Sequence, residues 1–166
     1  DVIVYMGPSI LAPADVPFIP EGNDPSQAVS YKIEVAGHGR IELGAVSMGN
    51  PHAVIVVDNI DTAPVETLGP IIEAHTSFPS KVNAGFMQVI NRNHIKLRVF
   101  ERGVGETKAC GTGACGAVVS GILRGLLDHK VQVDLPGGSL TIEWDGKGDV
   151  IMTGPTSNVF EGRVNI

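Results

Sequence analysis

The sequence predicts an α+β domain, a curved and mostly antiparallel sheet around one central helix. Three observations carry this. Short runs of alternating apolar residues recur along the chain, separated by Gly and Pro turns. Sustained helical periodicity occurs in one long stretch, from about Gly113 to Leu127. The strand-like runs after that stretch meet at Pro136-Gly137-Gly138, a hairpin connection rather than a helical crossover.

Val2, Val4 and Met6 form one face of a first strand, with Ile3 and Tyr5 on the other. Pro8, Pro13, Pro17, Pro20 and Pro25 then work against regular pairing from Gly7 to Ser26. Tyr31–Ala36 and Arg40–Met48 flank Gly37-His38-Gly39 and read as a hairpin. His52–Asp58 is a short β-branched strand. Between Asp61 and His75, Pro70 suits the first turn of a short helix, ahead of Ile71 and Ile72. Val82–Asn91 and His94–Phe100 are the next strands. In the long helix, Ala114, Ala117, Val118, Gly121, Ile122 and Leu126 share a face of mostly small side chains, so a neighbour can approach closely. Val131–Leu135 and Leu140–Trp144 alternate on either side of the Pro-Gly-Gly turn. Asp149–Thr153 and Val159–Ile166 close the chain as strand-like runs.

A length of 166 residues suits one domain with a sizeable core, and 43% hydrophobic with 18% charged residues fits a globular chain. The 21 glycines and 11 prolines fit many turns or backbone-built binding loops. A net charge of −6 without a Lys/Arg cluster argues against nucleic acid or a membrane surface as partner. Ala109–Leu123, the longest weakly charged stretch, is too short and Gly-rich to span a bilayer, and no secretory signal opens the chain. Cys110 and Cys115 are not a disulfide framework, and a bridge between them along one helix would be strained. A reduced, cytoplasmic setting fits. The chain opens on Asp1, already within a strand pattern, as expected of a fragment or a processed chain.

The chemistry concentrates in Glu101–Gly116, ERGVGETKACGTGACG. Cys110 stands just ahead of the helix, where free N–H groups, the helix dipole and nearby Lys108 are expected to favour the thiolate. Gly111 and Gly113 let a ligand approach the backbone, Thr112 adds a hydroxyl, and the same N–H groups suit a substrate carboxylate. A buried, inert cysteine is the plainer alternative, and it describes Cys115, inside the helix, better than Cys110. Glu101 and Arg102 end a strand and enter the same loop, where they suit an ammonium and a carboxylate. Asn50 and His52 flank Pro51, pairing an amide that donates and accepts with an imidazole that titrates near neutral pH. Each alone reads as structural, and Asn83 alone reads as a turn cap. Gly111, Gly113 and Gly116 spell G-x-G-x-x-G, but Glu106-Thr107-Lys108 stand where an apolar strand is required, which argues against a nicotinamide site. His38, His75, His94 and His129 lack metal-ligand spacing with the cysteines, so no metal is implied.

SMGNPHAVIVV, FPSKVNAGF, ERGVGETKACGTGACGAV and PGGSLTIEW together resemble the C-terminal half of the diaminopimelate epimerase family, over nearly the whole chain from DVIVYMG to VFEGRV. The resemblance implies a pyridoxal-phosphate-independent isomerase, needing no cofactor, that interconverts L,L- and meso-diaminopimelate on the route to lysine and peptidoglycan. It implies two similar lobes, each wrapped around a central helix, with the active site between them. Residues 1–166 would be the C-terminal lobe, with segments 1–7 and 156–166 turned toward an N-terminal lobe outside this chain. Cys110 would be one of two cysteines acting as acid and base on opposite faces of the α-carbon. Asn50, Asn83, Glu101 and Arg102 would bind the substrate's amino-acid groups, with Glu101 also taking part in catalysis. Gly111 and Thr112 would hold the reacting carboxylate, and His52 would assist by orienting groups and tuning the thiol. With only one such thiol, the chain alone is expected to be inactive, to expose apolar surface, and to be capable of self-association as a homodimer. Other readings are a proline racemase or phenazine-pathway relative, a non-catalytic ligand-binding module, and a redox protein cycling a Cys110–Cys115 disulfide.

Overall fold

In the computed structural model, which describes residues 1–157 and 159–164, one mixed sheet forms the body of the molecule. Its strands are β1 (Val2–Pro8), β2 (Tyr31–Val35), β3 (Gly39–Ser47), β4 (Pro51–Val56), β5 (Asn83–Asn91), β6 (His94–Glu101), β7 (Gly105–Thr107), β8 (Lys130–Leu135), β9 (Gly138–Glu143) and β10 (Asp149–Gly154). Two α-helices, α1 (Val65–Glu73) and α2 (Gly111–Leu123), cross between strands. The order is β1-β10-β9-β8-β6-β5-β4-β3-β2, with β7 added beside β6. Pairing is antiparallel except for β4 with β5 and β6 with β8, and each of those two pairs is joined through a helix.

Alternation within the central strands creates two cores on opposite faces. Val46, Val54, Met87, Ile95, Leu97, Val131, Val133 and Ile142 pack with Ala114, Val118 and Val119 of α2. Helix α2 touches β3 near one end of the sheet and β10 near the other, so the sheet curls around it. The small side chains of α2 permit this enclosure. A Cβ on Gly44 would lie 2.0 Å from Ser120 Oγ, and one on Gly116 would lie 3.2 Å from the His52 ring. On the other face, Ile33, Leu43, Ala53, Ile55, Ala84 and Phe86 pack under Val65, Leu68 and Ile72 of α1. Strand β4 is buried along most of its length because its two faces serve both cores.

The structure departs from the sequence reading in four places. Pro70 lies inside α1 rather than in its first turn, because the buried stripe Val65, Leu68 and Ile72 starts the helix five residues earlier. Helix α2 begins at Gly111 and ends at Leu123, short of Leu127. Gly125 adopts φ +70°, and the Leu126 and Leu127 N–H groups fold back onto Gly121 O, which caps the helix end. Strand β7, absent from the sequence reading, folds back on β6. Residues 159–164 carry no strand, and the remainder of the expected Val159–Ile166 run lies outside the described residues.

Candidate active site

The ends of β4, β5 and β6 meet the start of α2. Cys110 is the N-cap of α2 with extended backbone (φ −142°, ψ 99°), and its carbonyl accepts from the Ala114 N–H at 2.9 Å. Gly113 gives the sulfur room, since a Cβ there would lie 3.0 Å from Cys110 Sγ and 3.1 Å from Val99. A Cβ on Gly111 would likewise meet Met152 Sδ at 3.1 Å. Close packing around the sulfur and Met152 therefore requires these glycines.

A chain of polar contacts leads away from the sulfur. Cys110 Sγ lies 3.8 Å from Thr112 Oγ1, Asn50 Nδ2 donates to Thr112 Oγ1 at 3.3 Å, and His52 Nε2 is 3.0 Å from Asn50 Oδ1. An amide oxygen only accepts, so His52 Nε2 carries the proton. His52 is almost fully buried, and burial together with the Arg102 charge pushes its pKa down to about 4. This corrects the expectation of an imidazole titrating near neutral pH: His52 is neutral there and fixes the orientation of the Asn50 amide.

The sulfur also departs from expectation. Burial pushes the Cys110 thiol up, opposed by the Gly113 N–H and the Thr112 hydroxyl, and the Glu101 carboxylate pushes it up further. The helix start does supply donors, but they do not outweigh desolvation, and Lys108 is solvent-exposed. Cys110 therefore rests as a thiol. Cys115 is wholly buried one turn into α2, with a pKa pushed up to about 12 by burial first and by Cys110 second. Both cysteines are free.

Asn83 pairs with His52 across the parallel β4–β5 register. Its Nδ2 donates to Pro51 O at 3.1 Å, and its Oδ1 accepts from the Arg102 N–H at 2.9 Å. It joins the Asn50-Pro51-His52 segment to the Glu101-Arg102 strand end. Glu101 accepts from Thr107 Oγ1 at 2.5 Å, and the exposed Arg102 guanidinium donates to Ser80 O at 2.9 Å. The fold thus gathers Asn50, His52, Asn83, Glu101, Cys110, Gly111 and Thr112 and directs the Arg102 side chain to Ser80.

Three supporting residues escaped the sequence reading. Thr107 reaches Glu101, Glu106 grips Arg98 through two contacts of 2.6 and 2.8 Å, and the nearly buried Glu73 accepts from the Gly103 N–H at 2.7 Å. Their only sequence signal was membership of the GET run and of a helix end. Within the site cluster, Cys110, His52 and Asn83 are buried. A cavity of about 600 Å³ lies elsewhere, lined by residues including His129, Trp144 and Ile151. Among the described residues no group of three His, Cys, Asp or Glu side chains is placed to hold a metal, and no helix is long and apolar enough to cross a membrane.

Residues 44–159 match the family model described as diaminopimelate epimerase. The chain is 59% identical over 166 residues to the diaminopimelate epimerase of Alkalilimnicola ehrlichii and 58% identical to that of Pseudomonas paraeruginosa. Each match covers 99% of this chain but 58% of the relative, so the chain spans little more than half their length. Among solved structures, a hydroxyproline epimerase from Agrobacterium vitis aligns with TM-score 0.63 at 15% identity, covering 92% of this chain and 49% of that one. A probable proline racemase from Agrobacterium radiobacter aligns with TM-score 0.59 at 17% identity, covering 91% and 48%. These two likenesses establish the α+β architecture.

Proposed function

The chain belongs to the diaminopimelate epimerase family, and from that premise we propose that it supplies one of two acid–base thiols for cofactor-independent epimerisation of L,L- to meso-diaminopimelate. The observation that carries this reading is the joined cluster of Cys110, Thr112, Asn50 and His52, with Glu101 facing the same sulfur.

The α-proton of an amino acid is barely acidic, so its removal requires donors aimed at the carboxylate, where negative charge develops. The unpaired N–H groups of Gly111 and Thr112 at the start of α2 suit that task. Asn50, Asn83, Glu101 and Arg102 would bind the remaining amino-acid groups. Inversion needs one group to take the proton and another to return one from the opposite face. Cys110 in its thiol form delivers a proton, and the Gly113 N–H and Thr112 hydroxyl favour the thiolate left behind. In the reverse direction that thiolate removes the proton. Neutral His52 holds Asn50 in place and transfers no proton itself near pH 7.

The second thiol would come from an N-terminal lobe, in keeping with the share of the relatives that this chain spans. Segment 1–7 and the described residues of 156–164 would turn toward that lobe; the rest of the expected 156–166 segment lies outside the described residues. Support comes from the exposure of Ile3 (62%) and Tyr5 (70%) on β1, which among the described residues is an edge strand paired with β10. The enzyme would work on the route to lysine and peptidoglycan in the reducing cytoplasm, where Cys110 and Cys115 stay free. The test is epimerisation of L,L-diaminopimelate by the intact protein, which Cys110→Ala is expected to abolish. Epimerisation at the wild-type rate in C110A would overturn the assignment of the thiol. Epimerisation of L,L-diaminopimelate by the purified 166-residue chain would overturn the half-site reading.

A further inference from the structure

We infer that Thr107 is a positioning residue of this site, its hydroxyl holding the Glu101 carboxylate against Cys110. In the β6–β7 hairpin Val99 pairs with Thr107 and Glu101 with Gly105. Residues two apart share a strand face, so Thr107 is the diagonal neighbour of Glu101 on the side of the sheet that carries Val99. From there Thr107 Oγ1 lies 2.5 Å from Glu101 Oε1 and 3.4 Å from Ala109 O. One hydroxyl proton cannot serve both well, and the shorter, charge-assisted contact takes it.

Strand β7 is only three residues long, too short for its ladder alone to hold the register. The reverse face supplies the lock. Arg98 and Glu106 form a two-point ion pair there, both side chains less than a quarter exposed. With the register held and the β-branched side chain of Thr107 limited in rotamer, Glu101 is anchored by one of its oxygens. Its carboxylate is the charged group that faces Cys110 from β6, and from α2 the sulfur meets Cys115 and the donors of Thr112 and Gly113. Thr107 thereby acts on the thiol through Glu101.

The inference rests on the acid–base reading above for the purpose of this arrangement, but its test does not need turnover. In the intact protein, alkylation of Cys110 by iodoacetamide is followed against pH, with the Cys110 peptide quantified by mass. Thr107→Val keeps the shape and removes the donor. The alkylation midpoint is expected to move to lower pH, with roughly tenfold faster alkylation below the midpoint, on the scale of one lost hydrogen bond to a charged group. T107S is expected to restore the wild-type midpoint. Glu101→Gln is expected to move it in the same direction, and adding T107V to E101Q to move it no further. A T107V midpoint equal to wild type overturns the inference, as does a T107V shift that persists unchanged in E101Q. If the midpoint moves as stated but the intact protein fails to epimerise diaminopimelate, the Thr107 assignment stands and the substrate reading falls.

Discussion

Acidification from pH 7 to pH 5 is expected to cost the fold about 2 kcal/mol through His52 alone. His52 is buried and neutral, its pKa pushed from 6.5 down to about 4 by burial first and Arg102 second. In the unfolded chain the same imidazole accepts a proton near pH 6.5, so the unfolded state binds more protons between pH 6.5 and 4. The contribution is therefore complete above pH 6.5 and is lost as pH falls toward 4. At about 1.36 kcal/mol per pH unit the whole window is worth roughly 3 kcal/mol, and about 2 kcal/mol of it has gone by pH 5. Asp134, held down at about 2 by Gln132, Ser139 and His94, loses its contribution below 3.8 and does not overlap this window. The assay is urea unfolding at pH 7 and pH 5, followed by the fluorescence of Trp144, the single, buried tryptophan. His52→Gln retains an N–H donor but does not titrate, so its loss between the two pH values is expected to be smaller by about 2 kcal/mol. Equal losses in the two proteins would refute the assignment of the acid sensitivity to His52.

Other consequences follow from the same geometry. Gly116→Ala is expected to destabilise by about 1–3 kcal/mol despite a helix-propensity gain of up to about 1 kcal/mol, because the added carbon would press on the His52 ring; a raised urea midpoint would contradict this. Native alkylation at pH 8 is expected to label Cys110 before the wholly buried Cys115, read by peptide mass. The isolated chain is expected to self-associate along β1, and replacing Ile3 and Tyr5 with Lys to reduce that association in sedimentation velocity. Arg98→Met would leave Glu106 without its partner in a partly buried position, at a cost of about 1–3 kcal/mol in urea unfolding; an unchanged midpoint would show that the ion pair does not lock β7.

Most strand positions were legible because most strands bury at least one face, and burial imposes alternation that the sequence displays; β1 alternates although both its faces are largely exposed. The same reasoning located the helix after Cys110, where small residues recur at helical spacing. It failed at Pro70, where packing of the Val65, Leu68 and Ile72 stripe on the sheet starts α1 earlier, and at Leu126-Leu127, where left-handed Gly125 ends the helix before the apolar pattern does. The 3-residue β7 carries no periodicity of its own, so its register with β6 and the contact from Thr107 to Glu101 were invisible in one dimension.

The sequence by itself determined the α+β class, the order of most strands, the family resemblance and the set of side chains that gather at the start of α2. Those depend on patterns of residue type along the chain. Tertiary structure decided what the side chains are electrically. Cys110 is a thiol rather than a thiolate, and His52 a neutral donor rather than a group that titrates near pH 7, because desolvation inside the curled sheet outweighs the helix-terminal donors and the ordinary imidazole pKa. Burial is a property of the assembled sheet and helix, and no local motif encodes it.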